Sequence, residues 1–244
     1  MGNVFQVINA RMGRVRRETL KGRAHLVAPF VSIVPGVLSG SKGSLFYPAS
    51  EIAKNPNVWN GIPLTLGHPS NPLTNLPESA RDPEVLNRVQ LGQVFKDQVT
   101  NDGRRVGEAW FDEELTKSRA PNIHNLLTQA ANGRRVPACE ISTGLFTENV
   151  PAQNGANHHG KEYTHIATQY VPDHLAVLEN QKGACSNDDG CGILMNAGKK
   201  STTFIEITAT GNASSPDWQV IGDWLSKNGL MPGYGQIFLN DEDE

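Results

Sequence analysis

Apolar and polar residues alternate along much of this chain, and that alternation predicts strands more often than helices. Residues 24–34 (AHLVAPFVSIV) are rich in β-branched and aromatic side chains and predict a strand, with Pro29 marking an edge or a bend. Residues 36–43 predict a flexible Gly/Ser loop, and residues 50–54 a short turn of helix. Residues 59–66 (WNGIPLTL) lead to Gly67-His68-Pro69, where proline restricts the backbone around the histidine. Residues 71–83, with Pro72, Pro77 and Pro83, predict a long polar loop of the kind that carries function or moves. Residues 89–99 and 105–111 flank Asn101-Asp102-Gly103 and predict a hairpin, because Asp-Gly supplies the positive φ of a tight turn.

The strongest helical period follows. Pro121 suits a first turn, Ile123, Leu126, Leu127 and Ala130 share one face, and Gly133 supplies the stop. This helix leads into a short alternating stretch, Cys139-Glu140-Ile141-Ser142-Thr143-Gly144-Leu145. Residues 149–160 predict a loop containing His158-His159, and residues 162–171 a strand. Pro172 is expected to end that strand, with residues 174–178 forming another. Residues 181–200 are Gly/Asn/Ser-rich and predict an exposed linker. Beyond it a strand at 202–208, a helix at 216–228 and an acidic tip at 241–244 are expected. The chain therefore divides into a main domain, residues 1–195, and a small C-terminal segment, residues 196–244.

Composition narrows the class. Twenty-four glycines and fifteen prolines favour many turns, hence a mainly β chain with a few helices, an α+β fold. A net charge of −3 leaves no electrostatic footprint for nucleic acid or an anionic membrane, although residues 11–23 form a basic lead-in. No apolar run approaches the ~18 residues of a membrane span, and the start lacks an apolar signal core, so the protein is expected to remain where it is made. Three cysteines make an odd set. In a reducing cytosol a disulfide between Cys185 and Cys191 is not expected, and their spacing is wider than a zinc knuckle. Neither a metal nor another cofactor is expected.

The candidate chemistry centres on Ser142. Serine needs a neighbouring base to become a nucleophile, and the chain offers His68 upstream and His174 downstream. Gly144 removes side-chain bulk beside it, while Ile141 and Leu145 hold the strand on a core. Asp173 and His174 are neighbours on a strand and face opposite ways, so only one is expected to reach His68, and periodicity does not choose between them. A metal-dependent hydrolase using His158, His159, His165, His174 and Asp173 is a weaker alternative, because no helical ligand pair is present.

Three stretches together resemble the prohead (capsid maturation) proteases of tailed bacteriophages: Gly67-His68-Pro69, Glu140-Ile141-Ser142-Thr143-Gly144 and Pro172-Asp173-His174-Leu175-Ala176. The segments Leu26-Val27-Ala28 and Tyr47-Pro48 are also similar, and the likeness runs over roughly residues 15–195. That family is similar in turn to the herpesvirus assembly protease. The resemblance implies a compact β-barrel flanked by helices, acting as a homodimer. It implies a serine endopeptidase with His68, Ser142 and His174 as its triad, Asp173 being the alternative third member. Its partners would be the phage scaffold and major capsid protein, and its place the host cytoplasm, inside the immature capsid. It would cut the scaffold and also itself. In the herpesvirus enzymes arginines follow the third residue; here Gln181-Lys182-Gly183 follows instead, so the oxyanion donors are not identified. The competing expectation is an inactive, protease-like scaffold or capsid-binding protein.

Overall fold

The computed structural model describes residues 14–40, 43–55, 57–193 and 195, which fall in one compact unit, Arg14–Asn196. The strand, helix and acidic tip expected beyond residue 200 lie outside the described residues. Strands β1 (Arg16–Leu20), β2 (Arg23–Ile33), β3 (Gly36–Gly40) and β4 (Gly43–Tyr47) come first, then helix α1 (Ala49–Ile52) and strand β5 (Pro63–Leu66). Helix α2 (Pro83–Val89), strands β6 (Gln90–Val99) and β7 (Arg105–Asp112), and helices α3 (Glu113–Arg119) and α4 (Pro121–Ala131) follow. The remainder is β8 (Glu140–Pro151), the small pair β9 (Asn157–His158) and β10 (Lys161–Glu162), β11 (His165–Leu178), and β12 (Gly192–Ile193).

The α+β expectation holds: a mixed sheet dominates, with a few short helices packed on it. Its strands run in the order β1-β2-β7-β6-β5-β11-β4-β3, with β8 pairing β11 and β12 pairing β2. The sheet curls but does not close into the expected barrel. Its two flanks meet at a single bridge, Cys139↔Ile193, and β12 is too short to extend that bridge into a ladder. Leu26, Phe30, Leu64, Leu91, Phe111, Ile141, Leu175 and Val177 fill the concave side, where α4 adds Ile123, Leu127 and Ala130.

Several local expectations are corrected. Residues 36–40 are no free loop but strand β3, paired antiparallel with β4 from Gly43 onward. The basic lead-in includes β1, where Arg16 bonds Glu18 and Glu108, while Arg23, opening β2, bonds Asp112. Pro172 does not break the chain into two strands. On one flank β11 pairs β4 only at His165 and Ile166 and β5 only from Leu175, so Pro172 sits in the gap between them, where that flank asks no N–H of it. The same reasoning places Pro29 between the end of β1 pairing at Val27 and the start of β12 pairing at Phe30.

The expected exposed linker is also folded down through residue 195. Cys185 and Cys191 form a disulfide with Cα atoms 5.5 Å apart, and Ser186, Ile193 and Met195 are buried. The free thiol is Cys139, which is buried. The six-residue separation of the paired cysteines brackets a 3-10 turn, Asn187–Asp189, capped by Ser186 and turned by Gly190 in the left-handed region. That turn brings the two sulfurs together, a closure that cysteine counting does not reveal.

Candidate active site

Two long strands build the site. Ile141, Leu175 and Val177 point into the core, so the opposite face of the β8–β11 pair presents Glu140, Ser142 and Gly144 beside Leu178, Ala176 and His174. Ser142 is half-buried and pairs with Ala176, while Gly144 pairs with His174. The imidazole of His174 lies over Gly144 so closely that a Cβ there would come within 2.2 Å of Cε1. Gly144 is therefore the hollow in which the ring is seated.

His68 arrives from the neighbouring strand. β5 runs parallel to β11, with Thr65 beside Ala176 and Leu66 beside Val177, and Gly67 N–H extends the pairing to Val177 O at 2.9 Å. Gly67 then adopts φ +66, a left-handed turn braced by Thr65 Oγ1 donating to Gly67 O. The turn swings His68 onto His174, with Nδ1 of His68 2.8 Å from Nε2 of His174 and the rings edge to face.

Behind His174 stands Asp173, whose Oδ2 is 2.7 Å from His174 Nδ1. The expectation that these neighbours face opposite ways fails because the ladder is irregular here: Pro172 pairs with Leu145 and His174 with the next residue, Gly144, leaving Asp173 as the extra residue of a bulge. Only His174 touches His68, as expected, but Asp173 reaches His174 as well. Its carboxylate accepts from Ser79 Oγ and from Ala80 N–H at 2.8 Å, and Arg81 Nε lies 3.7 Å away. Arg81 also donates to Pro172 O at 2.9 Å. Ser79, Ala80 and Arg81 carry no signal in the sequence, because they sit in a polar loop without periodicity. That loop, residues 69–82, is pinned at one foot by His68 and at the other by Asp173.

The order of partners fixes where the protons are. Burial alone would raise the Asp173 pKa, but hydrogen bonds from Ser79, His174 and Ala80 outweigh it and hold the carboxyl below its usual range. An ionised carboxylate only accepts, so His174 donates from Nδ1 and accepts at Nε2. His68 then donates from Nδ1, leaving its Nε2 lone pair free. Burial of the inner side of His68, and secondly the neighbouring His174, bring its pKa down to about 4, although its outer edge is exposed. His174 is lowered too, burial outweighing the pull of Asp173. Both rings are thus neutral near pH 7, and His68 presents an unprotonated nitrogen.

The link from His68 to Ser142 is open: among the described residues no hydrogen bond joins Ser142 Oγ to His68. Gly183 and Asn187 N–H do not serve as oxyanion donors, because both bind the Glu140 carboxylate, at 3.2 and 3.1 Å. The rings of His158 and His159 meet edge to face with centroids 4.3 Å apart, His159 being in a left-handed turn, away from the extended geometry that would separate them. Among the described residues no group of three or more His, Cys, Asp or Glu could hold a metal ion, and no helix is long and apolar enough to cross a membrane. Compared with protein-family models, curated proteins and solved structures, the chain matches none.

Proposed function

We propose that this protein is a serine endopeptidase of the prohead maturation type, with Ser142 as nucleophile, His68 as general base, His174 as the residue that holds His68, and Asp173 as the anchor of the series. The observation that carries this reading is the unbroken run Asp173–His174–His68, with contacts of 2.7 and 2.8 Å, standing on the face of the sheet that holds Ser142. In the reaction His68 Nε2 takes the Oγ proton as Oγ bonds to the scissile carbonyl carbon. The same proton passes to the leaving amine as the C–N bond breaks, and water then cleaves the ester by the reverse use of His68. Asp173 favours the tautomer this requires and stabilises the transient imidazolium through His174.

By resemblance, the substrates are the scaffold protein of an immature phage head and the protease itself, with the major capsid protein as a partner and cleavage in the host cytoplasm inside that head, by a homodimer. A second reading, an inactive protease-like structural protein, draws on the open gap between Ser142 and His68. A fluorophosphonate probe decides between them. Labelling of the full chain that disappears in Ser142→Ala supports the enzyme; equal labelling of both, or of neither, rejects it. Mass spectrometry of the chain co-expressed with its capsid and scaffold genes then tests the substrate assignment.

A further inference from the structure

β8 is an edge strand. It pairs with β11 along its length and, among the described residues, with no other strand. Two hydrogen bonds fix which of its residues face outward. Ile193 N–H donates to Cys139 O from the flank away from β11, and Val177, opposite Ile141, turns its own carbonyl to Gly67 on the β5 side. Backbone direction alternates along an antiparallel ladder, so Thr143, Leu145, Thr147 and Asn149 aim their N–H and C=O groups away from β11. The near end of this flank is covered: Gly183 sits against Ile141 O so closely that a Cβ there would come within 2.3 Å. From Thr143 to Val150 no described strand covers it, and that run holds one charge, Glu148, and no proline. Soluble proteins close or blunt such edges, so a long open one is a template for a further strand.

The side chains of the open run define what that strand carries. Phe146, Glu148 and Val150 continue the face of Ser142 and Gly144, and Val171 of β11 pairs with Phe146 on it. Phe146, Val150 and Val171 are 56%, 49% and 44% exposed, half of the six large apolar side chains that stand exposed among the described residues. Between Phe146 and Val150 the Glu148 side chain has no ion pair or hydrogen bond among the described residues. Cross-strand neighbours on one face stabilise a sheet, and the complement of Phe146, Glu148 and Val150 is apolar, cationic and apolar at alternate positions. We infer that the edge of β8 takes up an extended segment of a partner protein with the pattern apolar-x-basic-x-apolar. The identity of that partner rests on the protease reading, on which it is the substrate. Phe146 lies four residues, about 13 Å, from Ser142, so the segment docks at least four residues from the bond that is cut, outside the catalytic machinery.

Fluorescence anisotropy of the labelled peptide Ser-Val-Thr-Lys-Thr-Val-Ser, titrated with the full chain, tests the surface without catalysis. Wild type and Ser142→Ala should bind it alike, about 5-fold tighter than the same peptide with glutamate in place of lysine, and Glu148→Lys should reverse that preference. Methylating the N–H groups of its two threonines, which face the outward groups of β8, should weaken binding at least ~10-fold; methylating the lysine N–H, which points away, should not. Thr147→Pro should abolish binding with little change in Tm, because the N–H it removes faces away from β11. Equal binding of the two peptides, a preference unchanged by Glu148→Lys, or binding indifferent to threonine methylation overturns the proposal. Sedimentation of the full chain tests the rival occupant: a dimer that Thr147→Pro converts to monomer assigns the edge to a second copy and overturns the proposal. Sequencing the products of a digested protein mixture then tests the partner. Ser142-dependent cuts should carry the pattern about four to ten residues from the bond, and cuts without it overturn the substrate as partner. Peptide binding without any Ser142-dependent cut rejects the protease reading and upholds the docking edge.

Discussion

His174 rests directly on Gly144: the space that any other residue's Cβ would occupy is filled by the imidazole. Gly144→Ala should therefore displace the ring and pull His68 with it. A shift of about 1 Å in a positioned group costs on the order of 10²-fold in rate. Fluorophosphonate labelling should fall by about that factor while circular dichroism and Tm change little, because the alanine faces out from the core.

Ser142 and His68 are expected to act as one unit. Ser142→Ala and His68→Ala should each abolish scaffold cleavage, and the double variant should be no worse than either alone. Normal cleavage by Ser142→Ala would remove the enzyme reading.

Asp173 has a larger role than its place beside His174 in the sequence suggested. With His174 as the third member that the resemblance implies, and Asp173 facing the other way, Asp173→Asn is expected to be near wild type; the bulge reverses that expectation. An amide can turn its NH2 toward His174, so the series of donors and acceptors no longer ends on an obligate acceptor. We expect Asp173→Asn to lower the cleavage rate on the order of 10²-fold, and His174→Ala at least as much. A wild-type rate in folded Asp173→Asn would show that the carboxylate only braces the 69–82 loop.

The acid limb of activity should follow the depressed His68. With its pKa at about 4 rather than 6.5, labelling should persist through pH 5 and be half lost near pH 4. Stability carries the same sign. The unfolded chain binds more protons than the folded one between about 4 and 6.5, so stability is complete above that window and declines as pH falls through it. A His68→Ala variant should show a shallower decline of Tm over this range.

The disulfide closes a short loop, so reduction, or Cys185→Ser, should cost about 2 kcal/mol by loop entropy and lower Tm by several degrees. The buried Ile193 and Met195 set a stricter limit on shortening the chain. Truncation after Lys182 should abolish cooperative melting, whereas truncation after Asn196 leaves every described contact in place. Equal melting of the two truncated chains would show that the closing segment adds nothing to the core.

The hairpin of β6 and β7, helix α4 and the strand of Ser142 could be read from the sequence because each is written in local periodicity and turn residues. The stretches holding His68, Ser142 and His174 were readable as motifs. What could not be read was non-local. No alternation rule places a bulge at Asp173, because a bulge depends on the partner strand. Short helices such as α2 and α3 were missed although Asp82 and Asp112 cap them, since seven residues give too little period. Pro172 reads as a terminator in the sequence because its neighbours across the sheet, and the gap they leave, are remote along the chain.

The 69–82 loop carries a kinetic consequence. One foot supplies His68, and the other supplies the donors that keep Asp173 ionised. Transient release of this segment would disconnect the base and its anchor together, while the ladders of β11 and β8 remain intact. On the protease reading, catalytic competence would follow a sub-global opening equilibrium separate from the denaturation of the sheet, and amide exchange at Ala80 is expected to report it.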